Sequence, residues 1–173
     1  MIVVCYGLPG TGKTTIGRRL AEELNCPSLG TDTVRRRVLP NPTYTFEERQ
    51  LIYRTLFYII ELLHQHGIHV VVDGTFTRNE LRSEIVATAK RIGTPVIFVE
   101  CRCDRDTAIR RIQTRQDTES DAKAETYDRL FERWEENESP HLLVDTTRPL
   151  EETVDFVLKH LEDPRTFRLK LMS

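Results

Sequence analysis

Aromatic residues are sparse, at 8% of the 173 positions with a single tryptophan. Such a chain has few rings to offer as a stacking platform for single-stranded nucleic acid. Excess charge is also missing. The formal net charge of −2 gives no overall field that would draw in nucleic acid or an anionic membrane. No stretch approaches the ~20 apolar residues needed to span a bilayer. The apolar run after Met1 reaches Gly7 too soon for a signal-peptide core, so a cytoplasmic protein is expected. The four cysteines, Cys5, Cys26, Cys101 and Cys103, match no common zinc or redox spacing and read as small apolar residues. His64, His66 and His69 straddle a helix end at Gly67 and read as solvated side chains. No internal repeat, low-complexity tract or linker is present, and the length suits one domain over 1–173.

What the chain does have is alternation. Ile2–Tyr6 is a short β-branched apolar run ending in a glycine loop, which predicts a buried strand. Ile16, Leu20 and Leu24 then fall on one helical face. Pro27–Gly30 predicts a second strand, followed by an arginine-rich segment, Arg35–Arg37, and the breaker run Pro40-Asn-Pro. Thr45-Phe-Glu-Glu48 and Thr77-Arg-Asn-Glu80 each have capping-box spacing. They predict helices through Leu51–Leu63 and Leu81–Ile92, ending at Gly67 and Gly93. Further strands are predicted at His69–Asp73, Val96–Cys101 and Leu142–Asp145, with helices at Asp104–Arg115, Asp121–Glu136 and Leu150–Leu161. Strands alternating with helices imply crossover connections. The predicted architecture is a single α/β domain with a five-stranded, mainly parallel sheet covered on both faces.

The chemistry begins at Gly7-Leu8-Pro9-Gly10-Thr11-Gly12-Lys13-Thr14, which fits the phosphate-binding pattern G-x-x-x-x-G-K-[ST] at every fixed position. Its place between a strand and a helix also fits. Gly10 and Gly12 permit backbone angles that turn N–H groups toward phosphate oxygens, and the helix start adds partial positive charge, with Thr15 in its first turn. Lys13 reaches β- and γ-phosphates, and the Thr14 hydroxyl is a Mg²⁺ ligand. Asp73 ends the Val70–Val72 strand beside this loop and is the second candidate metal ligand. Gly74 follows it, where motor and remodelling ATPases place a water-activating Glu. The Asp-x-x-Gly and Asn-Lys-x-Asp signatures of signalling GTPases are absent.

Asp32-Thr-Val-Arg35 follows the second strand, on the edge where ligands of open parallel sheets bind. Asp32 is a candidate general base for a hydroxyl acceptor and a candidate helix N-cap, with Arg35 orienting the acceptor. Thr75 and Arg78, after the third strand, are further candidate substrate-binding residues. Arg110, Arg111 and Arg115 lie on one predicted helix, where an arginine can stabilise charge on a transferring phosphoryl group; Arg111 and Arg115 share a face. Phe76 and Tyr44 are the aromatic candidates for a nucleic-acid platform.

Together, the Gly7–Thr14 loop, Asp32-x-x-Arg35, Val72-Asp73-Gly-Thr-Phe76, the Arg110–Arg115 helix, Ser120-Asp-Ala122 and Val144-Asp-Thr resemble small P-loop kinases, over nearly the whole chain. That group is related to polynucleotide 5′-hydroxyl kinase, zeta toxins, gluconate kinase and adenylylsulfate kinase. The resemblance implies a fold of nucleoside-monophosphate-kinase type with a helical lid over about 104–136 and a basic tail at 163–173. It implies ATP and Mg²⁺ as cofactors, Asp32 as general base, Arg35 as acceptor-binding arginine, and Arg111 or Arg115 as lid arginine. The loop after Asp145 would lie against the adenine. Leu29-Gly-Thr-Asp32-Thr-Val-Arg35 and Phe46-x-Glu48-Arg49 are similar to stretches of adenylylsulfate kinase. Thr75-Phe-Thr-Arg78 replaces that enzyme's Phe-Ile-Ser-Pro, its Lys-Gly-Leu-Tyr lid is missing, and Thr75 stands where polynucleotide kinase has Asn. The acceptor therefore stays open among a small metabolite or nucleotide, adenylylsulfate and a polynucleotide 5′-hydroxyl. A nucleotide-dependent switch without a dedicated acceptor is the non-enzymatic alternative.

Overall fold

The computed structural model describes residues 1–114 and 123–162. Arg115, the Ser120-Asp-Ala122 stretch and the basic tail at 163–173 lie outside the described residues.

Five strands form one parallel sheet: β1 (Ile2–Tyr6), β2 (Ser28–Gly30), β3 (Val70–Gly74), β4 (Val96–Arg102) and β5 (Leu142–Asp145). The spatial order is β2-β3-β1-β4-β5. β1 and β3 are buried along their whole length, as their unbroken apolar runs require when helices cover both faces. Side chains of alternate residues feed two cores. Val4, Tyr6, Val72 and Phe98 meet α2 (Thr31–Val38), α3 (Phe46–Gln65) and α4 (Asn79–Ile92) through Val34, Ile52, Leu56, Ile60 and Ile85. Val3, Cys5, Val71, Ile97 and Val99 meet α1 (Lys13–Glu23) and α7 (Leu150–Glu162) through Ile16, Leu20, Val154 and Val157. α5 (Arg105–Thr114) and α6 (Ala124–Phe131), the helices of the expected lid, are joined by a small cluster of Ala108, Ile112 and Tyr127. Because every strand runs the same way, the segments after Tyr6, Gly30, Gly74, Arg102 and Asp145 gather at one edge.

Several sequence expectations are corrected here. α2 is a helix where the sequence suggested only an arginine-rich segment. Its N-cap is Gly30, so Asp32 sits inside the first turn and does not cap the helix. Thr45 does cap α3, accepting the Glu48 N–H at 3.2 Å. The Glu48 carboxylate reaches past Thr45 to the Thr43 and Tyr44 amides, at 2.5 and 2.9 Å. The box expected at Thr77–Glu80 does not form. Arg78 is the α4 N-cap, without a side-chain cap, and the free Asn79 amide is taken by Glu135 Oε2 at 2.7 Å. The helix expected to run to Glu136 ends at Phe131, because residues from Glu135 onward are drawn to main-chain groups of the β3–α4 turn.

Candidate active site

The loop from Gly7 to Gly12 wraps over the end of β1. Gly10 and Gly12 have φ of 79° and 80°, a left-handed backbone that side chains rarely adopt. A Cβ on Gly10 would also lie 2.4 Å from the Ala108 carbonyl oxygen of α5. Helix α5 packs directly on this loop, so the glycine is required for space as well as for angle. Thr11 Oγ1 donates to the Leu8 carbonyl at 2.8 Å, bracing the loop, and Lys13 Nζ folds back to the same carbonyl at 3.4 Å. Pro9 is buried, whereas Thr15 is exposed on the first turn of α1.

Thr14 and Asp73 come together as expected: Thr14 Oγ1 donates to Asp73 Oδ2 at 2.8 Å. Burial raises the Asp73 carboxyl above its ordinary value of 3.8, Lys13 and the Thr14 hydrogen bond pull it back, and Asp32 pushes it up again. Lys13, Thr14 and Asp32 thus all lie within electrostatic reach of Asp73. A hydroxyl beside a carboxylate is a hard-oxygen donor pair that suits Mg²⁺, an ion that keeps waters and phosphates as its remaining ligands. Among the described residues no group of three or more His, Cys, Asp or Glu could hold a metal by protein side chains alone.

In the segment after β2, at the same edge of the sheet, Asp32 Oδ1 accepts from Arg35 Nη1 at 2.6 Å. The Asp32 side chain is 37% exposed, whereas that of Arg35 is only 8% exposed. Arg35 is held from two more sides. Its Nε lies 3.0 Å from Glu48 Oε1, close enough for an ion pair but not aligned as a hydrogen bond, and its guanidinium lies over the Tyr44 ring at 4.8 Å. Thr75 is half-buried and hydrogen-bonded with Tyr53 of α3; Arg78 is exposed. Phe76, between them, is fully buried against Tyr53, so it is no platform for a base.

Arg111 reaches from α5 across the nucleotide loop. Its Nη2 donates to the Thr146 carbonyl at 2.7 Å and its Nη1 to Thr146 Oγ1 at 3.0 Å, with Gly10 O at 3.5 Å. This brings the turn after β5 against the loop, where a Cβ on Gly12 would meet Thr146 at 3.4 Å. Arg110 instead faces out and donates to Thr107 Oγ1. Arg102 binds Glu100 and Glu136, away from this group.

Arg49, in the first turn of α3, was not singled out as a site residue. Burial lowers its pKa, Tyr53 opposes this, and the neighbouring charges of Arg35, Arg129 and Arg133 lower it further. Among the described residues it has no ion-pair partner. Its signal lay in the Phe46-x-Glu48-Arg49 stretch.

A strand–glycine loop–helix that ends in Lys13 and Thr14, with an acid at the end of the neighbouring strand, defines a P-loop nucleotide-binding protein. A family profile described as an AAA domain matches residues 2–137, and the chain belongs to that family of P-loop domains. An uncharacterised protein of Mycobacterium tuberculosis is 32% identical over 164 residues, covering 86% of this chain and 32% of that protein. The chain thus spans about a third of the length of the mycobacterial relatives it matches. The adenylyl-sulfate kinase of Chloroflexus aurantiacus is 33% identical over 109 residues, covering 60% of this chain and 58% of that enzyme. The M. tuberculosis APS kinase CysC, solved with AMPPNP and APS, superposes with a TM-score of 0.75 at 20% identity, covering 94% and 97% of the two chains. A gluconokinase from Sinorhizobium meliloti gives 0.70 at 21%, covering 91% and 89%. At those identities the likeness shows the fold, that of P-loop kinases. No helix among the described residues is long and apolar enough to cross a membrane.

Proposed function

We propose that this protein is an ATP- and Mg²⁺-dependent kinase that transfers the γ-phosphate to a hydroxyl of a small, anion-bearing metabolite or nucleotide. One observation carries this reading. The Asp32–Arg35 pair stands on the acceptor edge within electrostatic reach of the Thr14–Asp73 pair, so a proton acceptor and a phosphate cradle share one end of the sheet.

Lys13 and the loop amides hold the phosphates. Thr14 and Asp73 hold Mg²⁺, which when bound neutralises charge on the phosphate oxygens. Asp32, partly exposed and aimed by Arg35, takes the proton from the acceptor hydroxyl. Arg111, already at the loop, supplies positive charge over the transferring group, with Arg115 the other lid candidate. Arg35 is largely engaged by Asp32 and Glu48, so its role toward the acceptor is to orient Asp32. The anion of the acceptor falls to Arg49, a half-buried guanidinium with cationic neighbours and no ion-pair partner among the described residues. Thr75 and Arg78 line the same edge. A polynucleotide 5′-hydroxyl fits less well, since Phe76 is buried and Tyr44 has Arg35 over its ring.

The test is a release assay for ADP with pooled hydroxyl compounds, sorted into neutral polyols, sugar acids, nucleotides including adenylylsulfate, and 5′-hydroxyl oligonucleotides. The expected result is stimulation by an anion-bearing small molecule. ATP turnover that no pool stimulates would leave the switch reading in its place.

A further inference from the structure

Arg82 of α4 is 3% exposed, yet among the described residues it has no hydrogen bond to a carboxylate. Its Nη1 donates to the Phe76 carbonyl. Its Nη2 donates to Asn79 Oδ1 at 2.6 Å and the Glu135 carbonyl at 2.5 Å, with the Glu136 carbonyl at 3.4 Å. The guanidinium also lies 5.6 Å from the Tyr6 ring centre and 5.9 Å from that of Trp134. Those two rings stack on each other, 5.9 Å apart and 6° from parallel. Its buried Nε has no hydrogen-bond partner among the described residues, and Glu135, Glu100 and Glu136 act on the guanidinium only through space. A buried cation bonded to neutral oxygens is costly, and an aliphatic side chain would fill the space at lower desolvation cost. What the planar fork supplies is fixed geometry among the segments it touches, through its donors at Phe76, Glu135 and Glu136 and through its flat face at Tyr6.

Those segments are three working parts of the site. Phe76 belongs to the acceptor-edge turn, and its φ of 42° is a strained value for a buried aromatic residue. Its carbonyl is held by Arg82 and its N–H by Tyr53 OH at 3.4 Å. Glu135 and Glu136 belong to the strap that leaves the lid after α6, which is further tied by Glu135 N–H to the Thr77 carbonyl and by Asn137 to Tyr6 OH. Tyr6 ends the strand that enters the nucleotide loop at Gly7.

We propose that Arg82 is a positioning residue for phosphoryl transfer: it locks the acceptor-edge turn, the lid's return strap and the end of β1 into one unit, so that nucleotide in the loop sets the place of the acceptor turn. The word transfer rests on the kinase reading; the test does not.

The single tryptophan, Trp134, lies in this strap and reports on it. In the full chain, AMPPNP with Mg²⁺ is expected to change Trp134 emission. Arg82→Met is expected to bind AMPPNP·Mg²⁺ with affinity within about threefold of the unaltered chain, because it touches no phosphate-binding group, yet to lose most of the emission change. Trypsin should cut at Arg129 or Arg133 about tenfold faster, as expected when buried hydrogen bonds that close a segment are removed. Arg82→Lys keeps the charge and most of the length but loses the fork, so it should behave like Arg82→Met. It also decides the matter if Arg82→Met does not fold. An unaltered emission response and cleavage rate in whichever variant folds would overturn the proposal. If the unaltered chain fails to bind AMPPNP·Mg²⁺, the nucleotide reading falls and the cleavage rates alone decide the role of Arg82.

Discussion

Because Arg35 is shared between Asp32 and Glu48, the two carboxylates can be separated by experiment. Asp32 is not the cap of α2, so Asp32→Asn leaves the Gly30 cap untouched and removes a first-turn charge, worth about 0.3–1 kcal/mol against the helix dipole, together with the charge that pairs with Arg35. Transfer to the acceptor is expected to fall ~10²–10⁴-fold, as for loss of a general base, with slow hydrolysis of ATP to water changing far less. Rates measured with and without acceptor check this. An equal fall in both would assign Asp32 to the nucleotide or metal. Glu48 carries a pH signature. Burial alone would raise its carboxyl, but donors from Thr43 and Tyr44 together with Arg35 outweigh burial and hold it below the ordinary 4.5. Its contribution to stability is therefore complete above pH 4.5 and is lost as pH falls through the lower folded value. The gap in melting temperature between the unaltered chain and Glu48→Gln should be constant near neutrality and close as the solution is acidified below that point. A gap that grew with acid would reverse the assignment.

At the level of elements, strands and long helices were legible because each is encoded locally. Val70–Val72 can be buried only in a covered sheet, and Leu56, Ile60 and their neighbours recur at helical spacing. α2 was not legible. Among its eight residues only Val34 and Val38 are apolar, and Val38 is exposed, so no stripe announces it. The two capping boxes looked alike in sequence and behave differently in the fold, for a long-range reason. At α3 Thr45 accepts the Glu48 amide, whereas α4 is capped one residue later, at Arg78, and its first free amide, that of Asn79, is met by Glu135, far along the chain. Thr45→Ala should accordingly cost about 1 kcal/mol in urea unfolding. Glu80→Gln should cost no more than a few tenths, the share left to the helix dipole once no box exists. Equal costs would mean that the α4 box forms in solution.

Across the whole molecule, the site was legible wherever chemistry constrains sequence spacing and hidden wherever it depends on packing. The nucleotide loop, Asp73 and Asp32 could be found because glycine angles and strand ends fix their positions. Arg49, the Arg82 hub and the preference of Arg111 for Thr146 are contacts between distant segments, and no local pattern records them. The same geometry makes nucleotide binding a global event, since the loop is packed against α5 at Gly10, against the β5 turn through Arg111 and on the end of β1. A ligand held at a hundred times its dissociation constant stabilises the folded state by ~2.7 kcal/mol. For a chain of this length each kcal/mol raises the melting temperature by roughly 2–4 °C. Saturating ATP·Mg²⁺ should therefore raise the midpoint by roughly 5–10 °C. Lys13→Ala should melt close to normally without ligand, because its ammonium makes one long hydrogen bond to the Leu8 carbonyl and otherwise acts through space on Asp73, but should lose most of that rise. Paired thermal melts with and without nucleotide decide it. A Lys13→Ala chain that keeps the full shift would place the phosphates somewhere other than this loop.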